Sequence, residues 1–98
     1  MSTTVNGSKA MILGAAVTLA RKVGYRKLTR EDVAREAETA AGSVNYYFGS
    51  TEGLRTAVVE YAIEHEIVTI VAEAIVAKHT ATDKITPTKR RSILSQVV

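Results

Sequence analysis

The chain has 98 residues, 46% of them hydrophobic, with a formal charge of +3. That length allows one domain at most, with a thin core that favours association with a second copy. The absence of cysteine excludes a disulfide framework and a thiolate metal site.

The charge is laid out in three blocks. Residues 1–30 carry six cations (Lys9, Arg21, Lys22, Arg26, Lys27 and Arg30) and no acid. Residues 31–77 carry nine acids against Arg35 and Arg55, and residues 78–98 carry five cations against Asp83. A basic first block suits a polyanionic partner, although a solvated face accounts for it equally well.

The first predicted element is an amphipathic helix from Ser8, as N-cap, to Val23. Its apolar residues Ile12, Leu13, Ala16, Leu19, Ala20 and Val23 recur at helical spacing, and Gly24 follows as its stop. The apolar run 10–20 is bounded by Lys9 and by Arg21-Lys22 and is too short to span a membrane. After a loop, Thr29 has the chemistry of an N-cap, with Glu31 and Asp32 in the first turn of a helix over 30–37. A break of about four residues leads to a second short helix, 42–48, which Gly49-Ser50 ends. From Thr51 to about Lys78 nothing in the sequence breaks a long helix. A loop over 80–87 then precedes a last helix, 87–98, with Pro87 at its first position. No segment alternates with period two, so the expected fold class is all-α.

Two short helices joined by a tight turn have the shape of a helix-turn-helix. Ala34 and Val44 are expected at the crossing, with Val33, Ala37 and Phe48 also facing inward. At about 100° per residue, Gly42 and Tyr46 then point to solvent, flanked by Ser43 and Asn45. These side chains suit the edge of a DNA major groove. Asn pairs bidentately with adenine, Ser bonds several base edges, and a ring face meets a thymine methyl. The alternative is that Tyr46 is covered by a loop or a second subunit.

The stretches ILGAA, GYRKLT, VAREA and GSVNYYFGSTEGL, standing in register without gaps from about Ile12 to Val58, resemble the amino-terminal DNA-binding domain of TetR-family repressors. The resemblance implies a three-helix helix-turn-helix domain (8–50), followed by a long helix and a terminal helix for dimerisation (51–98). It implies that Thr29 and Arg30 meet phosphate, that Ala41, Gly42, Ser43, Asn45 and Tyr46 face bases, and that Tyr47 holds phosphate through its hydroxyl. Thr51 stands where the family usually has a phosphate-binding lysine, and Glu38 stands where the turn usually has glycine. If Glu38 takes a positive φ, the cost is on the order of 1 kcal/mol. The partner implied is double-stranded DNA carrying a palindromic operator, bound by a homodimer in the cytoplasm, with no cofactor, metal or membrane.

The segment 67–77 is apolar nearly all round and so needs cover on more than one side. Ile67, Ile70, Val71, Ala74 and Ile75 are therefore the expected dimer interface, with a buried central helix of a monomer as the other option. Only about forty residues follow the resemblance, too few to enclose a ligand pocket of ~300–1,000 Å³. No small-molecule inducer is expected, unless one binds between subunits. His65 and His79 have no metal or triad spacing, so no enzyme activity is expected. Two alternatives stay open. One is a protein-interaction module that keeps the fold without reading DNA. The other is a fragment of a longer ligand-sensing regulator, against which the polar start and the capped last helix argue.

Overall fold

The computed structural model describes residues 4–97, with side chains from Lys9 onward. These residues form six helices and no strand: α1 (Thr4–Val23), α2 (Arg30–Ala37), α3 (Ala41–Phe48), α4 (Thr51–His65), α5 (Val68–Val76) and α6 (Pro87–Ser95). Short 3₁₀ turns over Tyr25–Lys27 and Thr80–Lys84 complete the path.

The boundaries of α2 to α4 follow local cap chemistry. Thr29 Oγ1 accepts from the Asp32 amide at 3.1 Å, and Ser50 Oγ accepts from the Gly53 amide at 3.0 Å. Thr86 does the same for α6. Gly24 and Gly49 take positive φ angles of 95° and 84° to end α1 and α3. Gly24 is also pressed from outside, since a Cβ there would stand 2.9 Å from Glu73 Oε2. At its other end α1 begins at Thr4, so Ser8 lies inside the helix instead of capping it. The last helix is shorter than the expected 87–98 and stops at Ser95; Val98 lies outside the described residues.

The long helix expected from Thr51 to about Lys78 does not exist. Glu66 adopts the left-handed conformation (φ 56°, ψ 45°) and stops α4. The Ile67 amide reaches back to the Ala62 carbonyl at 2.9 Å, which closes the turn as a Schellman stop. The same device ends α2 at Glu38 and α5 at Lys78, with the Thr39 amide on the Ala34 carbonyl and the His79 amide on the Ala74 carbonyl. Glycine is the usual residue at such a stop, and none of the three is glycine.

That break decides the core. α5 folds back against α4, α1 and α6. Of the five residues expected at a dimer interface, Ile70 and Val71 are 1% exposed and Ala74 is fully covered. Ile67 and Ile75 are half-buried and pack on the same core. The expected interface is thus core within one chain, because the bend supplies the cover that a straight helix lacks. Among the described residues after α4, the large apolar side chains left outside are Val76, 72% exposed, and Val97, 44% exposed. With Thr69, Ala72, Leu94, Arg26 and Glu73 they line a shallow groove. Contrary to the expectation from chain length, the fold also forms a pocket. A cleft of about 560 Å³ lies between the end of α4, α5 and α6, floored by Val71, Ile85 and Ile93 and edged by Lys84 and Lys89.

Glu73 ties the two halves of the chain together. Its Oε1 accepts from the Tyr25 amide at 3.1 Å, joining α5 to the turn after α1. Burial, and then the Glu73 carboxylate, raise the Tyr25 hydroxyl above its ordinary value of 10.0. The unfolded chain therefore ionises this phenol first. The stabilisation is complete below pH 10 and is lost as pH rises beyond it. Tyr25→Phe is expected to flatten the alkaline fall in thermal stability, measured as Tm on either side of pH 10.

Candidate nucleic-acid interface

α2 and α3 pack on each other, and Val33 and Ala34 of α2 and Val44 of α3 are all buried. Val44 is the buried anchor of α3, and Phe48 packs half-buried against the core. The opposite face presents Gly42 and Tyr46, as periodicity predicts, and Tyr46 is 78% exposed.

Tyr46 stacks edge-on against Tyr47, ring centroids 5.0 Å apart at 83°. This holds the exposed ring in a defined direction without covering it. Gly42 has open space where a Cβ would stand and no positive φ, so packing within the chain does not require glycine there. Ser43, Tyr47 and Ala41 are half-buried on the flanks, and Thr51 is half-buried as the first residue of α4. The six predicted base- and phosphate-facing residues of α3 are all exposed or half-buried, and two of them, Ala41 and Tyr47, also pack on the core.

Asn45 departs from the simple picture. It is half-buried, and its Oδ1 is closed to solvent and meets no donor among the described residues. A bidentate pair with adenine needs both amide atoms on the base edge, so the side chain must rotate to make it. A buried acceptor without a partner costs about 1–3 kcal/mol. Rotation onto a base edge would relieve that cost.

At the start of α2, the Thr29 hydroxyl uses an oxygen lone pair to cap the helix and can turn its proton to the Asp32 carboxylate. Arg30 Nε donates to Glu31 Oε2 at 3.1 Å, and Arg35 donates to Asp32 at 2.9 Å. The hydrogen bond from Arg30 holds the Glu31 carboxyl below its usual range, and those from Arg35 and Thr29 do the same for Asp32. Both acids are therefore ionised at neutral pH. Exposed pairs of this kind are worth little, so Arg30 can be transferred to a phosphate at small cost.

Arg55 is a residue that sequence reasoning missed. Its Nη2 donates to the Leu28 carbonyl at 2.8 Å and its Nη1 to Glu52 at 2.9 Å. α4 thereby fixes the residue before Thr29, and so the start of α2. The spacing of Glu52 and Arg55 was legible, but the reach to Leu28 is a tertiary fact. The directions of Arg26 and Lys27 are defined as well. Arg26 faces the α5–α6 groove and Lys27 lies along α1 and α2, neither against α3.

Residues 12–58 match the family described as bacterial regulatory proteins, tetR family. The match covers just under half of the chain, and over that stretch the chain is similar to the DNA-binding domain of the family. No curated protein and no solved structure among those compared matches the chain. The TetR match begins at Ile12 in α1 and ends at Val58 in α4, so it contains the whole α2–α3 unit and stops short of α5 and α6. No helix of the described residues is long and apolar enough to cross a membrane.

The turn between α2 and α3 carries the expected strain. Glu38 sits at φ 59°, ψ 47°, a conformation that glycine adopts without steric cost. Glu38→Gly is expected to raise stability by up to about 1 kcal/mol, read as a higher denaturant midpoint at unchanged slope. An unchanged or lower midpoint would show that the Schellman contacts fully offset the strain.

Proposed function

We propose that this chain is a TetR-family DNA-binding regulator, a repressor that binds an inverted-repeat operator as a homodimer. One observation carries the reading: α3 holds out Tyr46, a large ring that nothing in its own chain covers, beside Gly42, where the fold has no need of glycine. A ring kept exposed next to a position of closest approach suits a helix laid into a major groove. Asn45 and Ser43 add base-edge groups, and Thr29, Arg30, Tyr47 and Thr51 lie where phosphate contacts would fix the register.

Twofold symmetry in the operator requires two copies, with half-sites in successive major grooves about 10 bp apart or more. The seat proposed for the second copy is the groove around Val76 and Val97. Its edges carry a cation, Arg26, and an anion, Glu73, so a self-complementary contact can pair opposite charges across the axis. The test is selection of bound sequences from a random duplex pool. An enriched palindrome supports the repressor. Absence of enrichment supports an interaction module, the role that an acidic residue at the turn, Glu38, would favour.

A further inference from the structure

The recognition helix is electrically bare. α3 contains no charged residue, and the nearest charged residues on either side in sequence are Glu38 and Glu52, both acidic and exposed. Affinity for DNA nevertheless rests largely on cations that neutralise phosphates. The structure brings one such cation to α3 from elsewhere. Lys9, in the second turn of α1, places its ammonium 5.7 Å from the centroid of the Phe48 ring, at the last residue of α3.

We propose that Lys9 is an ionic phosphate anchor for the recognition helix, supplied from α1. This rests on the DNA-binding reading above. A ring face orients an ammonium without neutralising it, and all three of its N–H donors stay available. Lys9 makes no ion pair among the described residues, and the first thirty residues contain no acid to form one. Lys9 is exposed, and Phe48 adjoins Tyr47, the other ring at the end of α3. The other amino-terminal cations are placed differently. Arg30 is held by Glu31, Arg26 and Lys27 line grooves away from α3, and Arg21 and Lys22 lie in the last turn of α1, at the end opposite to Lys9. Lys9 is therefore the cation positioned to meet the backbone beside the groove that α3 enters.

Each phosphate neutralised adds about 0.9 to the slope of log affinity against log salt, so one contact weakens binding ~3.5-fold between 50 and 200 mM salt. Two subunits make that about twelvefold. Fluorescence anisotropy of the full chain, on its selected operator and on a scrambled duplex across that salt range, is the test. Lys9→Gln should cut the salt-driven loss about twelvefold, weaken both duplexes alike at low salt, and leave the base preference unchanged. Lys9→Arg should restore the wild-type slope, which a purely structural role for the aliphatic stem would not require. A wild-type slope in Lys9→Gln overturns the anchor while the repressor reading stands, as does a slope that Lys9→Arg fails to restore. If the wild-type chain binds neither duplex, the repressor reading falls and the anchor with it.

Discussion

Ile70→Asp is expected to abolish the folded state, and not merely to separate one subunit from another. Ile70 is 1% exposed and packs where α5 folds back on the rest of the chain. An aspartate there loses the burial of a large aliphatic group and sets an unpaired carboxylate in the core, with a stem too short to reach water. A loss on the order of 4–5 kcal/mol is the scale of such replacements. A domain of this size is stable by only about 5–15 kcal/mol in total. Far-UV circular dichroism with thermal melting reads the outcome. The companion change Val76→Glu falls on a residue 72% exposed, so it should keep the fold and, if the groove seats a second copy, shift sedimentation to the monomer. A folded, monomeric Ile70→Asp would instead return α5 to the role of an interface.

The second large effect falls on sequence choice. Tyr46→Ala and Asn45→Ala should each flatten the preference at one or two operator positions, by about 1–3 kcal/mol per lost base contact. Arg30→Ala should weaken all duplexes by a similar factor, because phosphate contacts position the protein without reading sequence. Tyr46 is mostly exposed, so its removal should leave thermal stability nearly unchanged, which separates a reading role from a packing one. For Asn45→Ala stability should rise slightly, since the unpartnered Oδ1 disappears with the side chain. Binding measured over all single-base variants of the selected operator checks the set. Unchanged profiles for both Tyr46→Ala and Asn45→Ala would remove α3 as the reading element.

The sequence alone determined the helix-turn-helix and the face that α3 shows to solvent. Thr29, Ser50, Gly24 and Gly49 act on their own neighbours within a turn or so, and an apolar residue every third or fourth position assigns an inside to a helix whatever it later packs against. The cores of α2 and α3 and the exposure of Tyr46 followed from those local rules. The tertiary structure alone decided where the chain after Val58 goes. Glu66 and Lys78 stop helices in a conformation that their own chemistry disfavours, and only the contacts of the folded-back segments offset that cost. The half-buried Ile67 just past the stop was the faint signal, since an apolar residue there commonly packs back on the helix it leaves. Which side chains cover Ile70, Val71 and Ala74, and which cation comes to stand over Phe48, depends on residues tens of positions apart meeting in space. Periodicity records that a face must be buried, but it carries no information about the partner that buries it.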